Sequence, residues 1–278
     1  MSTKAKGHSI TQKLVDLVGK TGVVFPNLVT SLLIERLVVR LVSEVKLQNT
    51  LIFKGGFVGL RVYESPRYTV DLDALLIRSN LDATLDLCRT AAEADLQDGV
   101  WFQFEDQIDL ATQGEYGGIR QVYRAGIGEV LKNMKKAQII HFDLGIGDPV
   151  TPGPIAATTQ TLLSGETMSW SVYPIETIVA EKLHAVVVRG GANSRSKDIH
   201  DLAIFLPKAD KEVLRDALKN CFEFRQTELP DSFGLFLKNL DTVVLERGWP
   251  SAIQSVPNAP EFKDALYQII LELEALDQ

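Results

Sequence analysis

Asp71 and Asp73 stand two residues apart in the apolar run RYTVDLDALL. In a β-strand, residues two apart project to the same face, so the two carboxylates emerge together while Leu72 and Ala74 face the other way. Adjacent carboxylates repel and are costly to desolvate unless something neutralises them. A divalent metal does so directly, and Mg²⁺ prefers hard oxygen ligands. The bland alternative is a half-exposed strand with both aspartates in water. A third acid sharpens the choice. In IIHFDLGIGDP the alternation sets Ile140, Phe142 and Leu144 on one face and His141 and Asp143 on the other. If that strand lies beside the first, Asp143 joins the pair. Two carboxylates on one strand and a third on its neighbour form a platform for two-metal phosphoryl or nucleotidyl transfer. The trio is expected at one edge of a central sheet. Asp148, in the Gly-Asp-Pro that follows, is accounted for by turn chemistry.

Two other groups are placed to serve such a platform. Lys54, Gly55 and Gly56 follow the short apolar stretch TLIF and precede a segment long enough for only a short helix. A glycine pair there lets the backbone turn sharply and present N–H groups to an anionic phosphate, although Gly-Gly alone is also an ordinary turn. The second group begins at Ile175, where Ile178, Val179, Val186 and Arg189 continue one helical stripe whose i+7 member is Lys182. A lysine on a core-facing stripe needs an anionic partner or an exit for its ammonium. Downstream, RSKDIHDLAIFL carries Asp198 and Asp201 on one helix face. A Lys182–Asp198 pair reaching towards the metal site would satisfy both residues. Snorkelling by the lysine and simple capping by Asp198 are the alternatives.

His8, His141, His184 and His200 show no metal-ligand spacing and read as ordinary histidines. Lys132, Lys135 and Lys136 read as a solvated basic turn that could help hold RNA. Trp101, Trp170 and Trp249 read as core anchors.

The elements that must position these residues follow from periodicity. Ile34, Leu37, Val38, Leu41, Val42 and Val45 recur at helical spacing, and Pro26-Asn27 is a suitable start for that helix. TLIF and TVDLDALLI read as strands, residues 81–97 as a helix, and WFQFEDQIDL, IRQVYRAGI and AQIIHFDLGIG as strands separated by glycine-bearing turns. GDPVTPGPIAAT reads as a loop. After Pro174 the chain reads as helices in IETIVAEKLHAVVVRG, KDIHDLAIFL, KEVLRDALKNCF and EFKDALYQIILELEAL. The expected class is α+β, with a domain over residues 1–165 that includes N-terminal helices and a helical domain over 166–278.

Bulk composition bounds the function. The 278 residues are 45% hydrophobic and 23% charged, as in an ordinary soluble globular protein. A net charge of −7 argues against a broad DNA-coating surface. Cys88 and Cys221 are far apart and form no CxxC, which signals neither a disulfide framework nor a zinc site. MSTKAKGHSITQKL lacks a signal-peptide core, and the apolar window LVTSLLIERLVVRLVSEV is interrupted by Glu35, Arg36 and Arg40. The expectation is a soluble cytoplasmic protein with no membrane contact.

Taken in order, ERLVVRLVSE, LIFKGGFVGLRVY, RYTVDLDALL, IIHFDLGIGDP and IETIVAEKLHAVVVRG…SKDIHDLAIF resemble the AbiEii/AbiGii family of nucleotidyltransferases, the toxin half of type IV toxin–antitoxin and abortive-infection systems. The resemblance runs from about residue 30 to 206 and implies a polymerase-β-like nucleotidyltransferase core with an added helical domain. It implies that Lys54, Gly55 and Gly56 form the nucleotide-binding turn and that Asp71 and Asp73 ligate Mg²⁺ or Mn²⁺. It further implies that Lys182 contacts the nucleotide phosphates and that Asp198 is another catalytic carboxylate. Thr69 occupies the place of a hydroxyl residue that meets the γ-phosphate or is itself modified. The turn here is Gly-Gly, where the wider superfamily has Gly-Ser, and Lys197 stands where many members carry Arg. The implied activity transfers a nucleoside monophosphate from an NTP to an acceptor such as a tRNA 3′ end, restrained by a cognate antitoxin protein. A non-catalytic module that senses NTP or binds a partner, and a metal-dependent phosphohydrolase, are the competing readings.

Overall fold

The computed structural model describes residues 2–77, 80–110 and 117–277. The chain divides into two compact units. One comprises Met1–Val58, Tyr68–Gly147 and Ala156–Val172; the other comprises Gly59–Arg67, Asp148–Ile155 and Tyr173–Gln278.

The first unit opens with helix α1 (Thr3–Thr21), capped by the Ser2 hydroxyl, which accepts from the Ala5 N–H, and ended by Gly22 at φ 71°. Helix α2 (Phe25–Ser43) has Pro26 in its first turn, where the missing N–H costs nothing. Its stripe of Ile34, Leu37, Val38 and Leu41 is fully buried. The stripe is shorter than its spacing suggests: α2 ends at Ser43, and Val45, which opens the short helix α3 (Val45–Gln48), is exposed.

Two of the charges that interrupt α2, Glu35 and Arg40, are buried with partners. Both Glu35 carboxylate oxygens accept from the Leu162 N–H. The Arg40 guanidinium donates to both oxygens of Asp98 and to the Ala94 and Val100 carbonyls. These bonds hold residues 94–99 in a loop, with Gln97 and Gly99 in the left-handed region. The helix expected over 81–97 therefore stops early, as α5 (Leu81–Ala92).

The core of this unit is a seven-stranded mixed sheet in the order β3-β4-β5-β2-β1-β7-β6. The strands are β1 (Leu51–Lys54), β2 (Asp71–Leu76), β3 (Val100–Asp109), β4 (Gly118–Ile127), β5 (Gln138–Ile146), β6 (Ile155–Gln160) and β7 (Thr167–Val172). Helix α4 (Gly55–Arg61) follows β1. β2 runs antiparallel to β1 and parallel to β5, and β3, β4 and β5 form an antiparallel meander. The last two strands correct the sequence reading, which has a loop over residues 147–158 and no strand between that loop and Pro174. β6 is largely exposed and so lacks an apolar signal. In β7 the alternation is clear, with Met168, Trp170 and Val172 buried between outward Thr167 and Ser169. Trp170 is the anchor expected of it, 5.5 Å from the Phe53 ring and 5.9 Å from Phe57.

The second unit is helical: α6 (Ile175–Arg189), α7 (Ser196–Phe205), α8 (Lys211–Phe224), α9 (Phe233–Lys238), α10 (Val243–Ala252) and α11 (Phe262–Leu276). Asp210 caps α8 by accepting from the N–H groups of Glu212 and Val213, and Leu214, Ala217, Leu218, Cys221 and Phe222 supply its buried stripe. Trp249 packs 5.5 Å from Phe262 and donates to the Pro260 carbonyl. Segment 59–67 returns to α7, where Gly59 faces the Phe205 ring with no space for a Cβ. Cys88 and Cys221 are both buried, and among the described residues they form no disulfide. Among the described residues no helix is long and apolar enough to cross a membrane.

Candidate active site

Strand β2 places Asp71 and Asp73 on one face, half-buried, while Leu72 and Ala74 are buried on the other. The β2–β5 register sets Asp73 opposite Asp143 and Asp71 opposite His141. Neighbouring strands lie about 4.8 Å apart, so the three carboxylates share one small area. That area lies in the middle of the sheet and not at an edge strand, since β2 is fourth of seven. The position follows from β1, β7 and β6 extending the sheet beyond β2.

The registers line up a row of charge across four strands. Arg120 on β4 opposes Asp143 on β5, which opposes Asp73 on β2, which opposes Lys54 on β1. Arg120 grips Asp143 with both arms, Nε and one terminal nitrogen each donating at 2.7 Å to a different carboxylate oxygen. The Asp143 hydrogen bond raises the Arg120 pKa above its ordinary value, helped by the charges of Asp71 and Asp73. Asp71 Oδ1 lies 3.0 Å from His141 Nδ1.

Gly55 completes the site in a way that composition conceals. It sits at φ 73°, a conformation that costs an L-residue about 1–2 kcal/mol. A Cβ there would also lie 2.7 Å from Asp73 Cγ. The glycine is thus the floor on which the Asp73 carboxylate rests. Gly56 follows it in the first turn of α4. The Thr69 hydroxyl turns to the backbone of Asp71, accepting from its N–H at 3.4 Å and donating to its carbonyl at 3.3 Å.

These donors fit a hard divalent cation. Asp71 and Asp73 offer carboxylate oxygens on one face, one of them seated against bare backbone. Asp143 adjoins them with its carboxylate engaged by Arg120. Among the described residues no three His, Cys, Asp or Glu side chains already converge as a metal-holding group.

In the second unit Lys182, 13% exposed, donates from Nζ to Asp198 Oδ1 at 2.9 Å and to Asp201 Oδ2 at 2.7 Å. The pairing with Asp198 is the one the helix faces anticipate, and Asp201 shares it. Arg67 grips Asp201 with Nε and a terminal nitrogen, both at 2.8 Å, and Arg195 Nε holds Asp198 at 2.8 Å. Burial acts to lower the Lys182 pKa, but the two carboxylates outweigh it and hold the ammonium above its usual value. Burial likewise opposes ionisation of the aspartates. The Lys182 charge, with Arg195 beside Asp198 and His200 and Arg67 beside Asp201, holds Asp198 below the ordinary carboxylate range and Asp201 well below it.

Reading by element missed two residues beside the β2–β5 acids and two beside Lys182. Arg120, Arg67 and Asp201 enter through long-range pairing that no local motif announces, although Asp201 shares a helix face with Asp198. His141 sits in the alternation with Asp143 and was legible there, yet it reads as ordinary without knowledge of its neighbour on β2. Asp148, assigned to turn chemistry, also accepts from Arg225 at 2.9 Å. Lys132, Lys135 and Lys136 are exposed, as a solvated turn requires.

The fold is similar to that of a solved structure described as a nucleotidyltransferase. A candidate nucleotidyltransferase from H. pylori superposes with a TM-score of 0.51 at 15% identity, covering 88% of this chain and 92% of its own. JHP933 from Helicobacter pylori gives 0.48 at 15% identity, covering 88% and 89%. No curated protein matches significantly. A family model described as "Nucleotidyl transferase AbiEii toxin, Type IV TA system" matches residues 36–268. The chain belongs to the AbiEii nucleotidyltransferase toxin family, and its class is that of a transferase enzyme.

Proposed function

We propose that this enzyme transfers a nucleoside monophosphate from an NTP to an RNA acceptor such as a tRNA 3′ end, with Mg²⁺ or Mn²⁺ held by Asp71 and Asp73. Asp143 is the third carboxylate of that set. The observation that carries the reading is the in-register row Lys54–Asp73–Asp143–Arg120 with Asp71 on the same face.

When bound, the metal neutralises charge on the phosphates and on the carboxylates that hold it. The protein's own residues position and balance charge. The Lys54-Gly55-Gly56 turn cradles the triphosphate, and Gly55 keeps Asp73 at its place by lacking a side chain. Thr69 orients the backbone at Asp71 and offers its hydroxyl to the γ-phosphate. Lys182 supplies positive charge to the phosphates, with Asp198 fixing its ammonium. The acceptor hydroxyl oxygen forms a bond to the α-phosphorus, the bond from that phosphorus to the bridging oxygen breaks, and pyrophosphate leaves. The hydroxyl proton passes to a carboxylate of the site or to water.

The exposed Lys132, Lys135 and Lys136 turn supports an RNA acceptor, because lysines at phosphates supply affinity without reading sequence. The family supports restraint by an antitoxin, a role in abortive infection, and a cytoplasmic setting.

The test is incubation of the purified chain with α-labelled and γ-labelled NTPs, Mg²⁺ and total RNA. Label from the α position should appear in RNA, and Asp73→Asn should abolish it without unfolding the protein. Release of γ-labelled inorganic phosphate with no labelled RNA would overturn transfer in favour of hydrolysis. Near-normal labelling by Asp73→Asn would remove that residue from the site.

A further inference from the structure

The Arg120–Asp143 pair is not needed to join its two strands. β4 and β5 are already joined by a continuous antiparallel ladder from Gly118 opposite Gly145 to Ala125 opposite Gln138. The side chains are 28% and 18% exposed, and a partly exposed ion pair adds only about 0–1 kcal/mol to stability. Yet the geometry is the strongest kind such a pair can have, two parallel charge-assisted bonds at 2.7 Å. It occupies both oxygens of the carboxylate that lies in register with Asp73.

We infer that Arg120 is a resident counter-ion that competes with the metal for Asp143 and, once displaced, grips a phosphate of the nucleotide. The inference rests on the reading of Asp71 and Asp73 as the metal pair. Without metal, the three acidic side chains crowd one face, and Arg120 removes the charge of one of them. A divalent cation on Asp71 and Asp73 attracts the same Asp143 oxygens, so metal and guanidinium exclude each other there. The released guanidinium keeps its flat fork, whose donor spacing matches phosphate oxygens as well as carboxylate. Arg120 also feels Asp71 and Asp73 electrostatically, so its departure from Asp143 is itself favoured when a cation neutralises those two. Metal binding and nucleotide binding are coupled through a single side chain. The enzyme then loads the third carboxylate only when a phosphate is there to receive the arginine.

The coupling makes opposite demands on one residue, and a purely structural arginine would not meet both. In the full chain, Mn²⁺ binding followed by the loss of the free-ion paramagnetic signal should tighten in Arg120→Gln by about tenfold, the size of a directly coupled pair. The KM for NTP should rise in the same variant. In an Asp143→Asn background the Mn²⁺ gain should vanish, because no carboxylate remains to be released. An equal gain with and without Asp143 would mean that only through-space charge had been removed, and the exchange would be wrong. Unchanged Mn²⁺ affinity in Arg120→Gln would also overturn it. If Arg120→Gln fails to fold, Arg120→Lys serves. It keeps the charge but loses the fork, and should show the same two opposite shifts, each smaller; parental values for both would sink the proposal. Asp71→Asn separates this inference from the reading beneath it. Parental Mn²⁺ binding by Asp71→Asn defeats the metal pair itself. Loss of binding there, with Arg120→Gln unchanged, defeats only the role of Arg120.

Discussion

The Gly55 backbone lies against the Asp73 carboxylate with no room between them for a side chain: a Cβ at position 55 would stand 2.7 Å from Asp73 Cγ. This contact joins the glycine turn to the acidic strand through two residues 18 positions apart in the sequence. Besides the phosphate-facing role proposed for it, the turn fixes where the carboxylate can sit.

Gly55→Ala should therefore damage activity more than stability. The left-handed backbone alone costs about 1–2 kcal/mol. Moving Asp73 by about 1 Å to clear the methyl group should lower kcat by about a hundredfold. Urea unfolding beside labelled-NTP kinetics reads both quantities. An alanine variant with parental turnover would show that Asp73 is free to shift without consequence.

Lys182→Met removes an ammonium that two nearly dry carboxylates share. On sequence alone the change keeps the packing of the stem and deletes only a charge, so a normally folded protein is expected. The structure predicts otherwise, because Asp198 and Asp201 would lose their common partner. The expected destabilisation is about 3 kcal/mol, at the low end for a broken buried pair because Arg195 and Arg67 remain. The double variant Lys182→Met/Asp201→Asn should recover part of that loss in urea unfolding. Activity must then be compared under conditions where both proteins are folded.

Arg67 tests the anchoring of segment 59–67. Its fork holds Asp201, Tyr63 donates to the Tyr173 carbonyl at 2.8 Å, and the Ser65 N–H donates to the Gly59 carbonyl at 2.9 Å. Arg67→Lys keeps the charge but cannot reproduce the two-armed grip. Amide exchange of residues 62–67 should quicken in Arg67→Lys and quicken further in Arg67→Ala, while α11 is unchanged. Equal protection in all three proteins would assign the anchoring to the backbone bonds instead.

Stability should fall with acid in two stages. His184 is buried, with Nδ1 facing Arg225 at 3.2 Å and Nε2 facing the Thr227 hydroxyl at 2.8 Å. Burial first, and the Arg225 charge second, push its pKa down to about 4. Between pH of about 6.5 and about 4 the unfolded histidine holds a proton that the folded one refuses, so stability drops as pH falls through that window. The second stage lies below about 4. Asp198 and Asp201 are held under their unfolded values, and the stability they contribute is complete above those values and lost as pH falls through the folded ones. Urea midpoints between pH 8 and pH 3 (both roughly, at constant ionic strength) should trace both limbs. His184→Gln should flatten only the first, and a first limb that survives this change would place its proton elsewhere.

Much of each side-chain cluster was legible without coordinates. The period-two alternation around Asp71, Asp73 and Asp143 already assigns their faces, and the helical stripe through Lys182 already demands an anion, which Asp198 supplies. Such signals survive in sequence because side-chain direction within a strand or helix depends on nearest neighbours along the chain. What only the tertiary structure decided are the partners across elements. Arg120 reaches Asp143 because β4 lies beside β5 in one register, and a shift of a single residue would have turned it to the opposite face. Arg67 meets Asp201 across 134 positions, and Arg40 stops the helix at Ala92 by holding Asp98 across 58. Each depends on which elements pack together, a choice made by the whole core and carried by no local run of residues. Gly55 stands at the border between the two. Its residue type is plain in the sequence, but the carboxylate that forbids it a side chain arrives only when β1 and β2 pair, with Lys54 opposite Asp73.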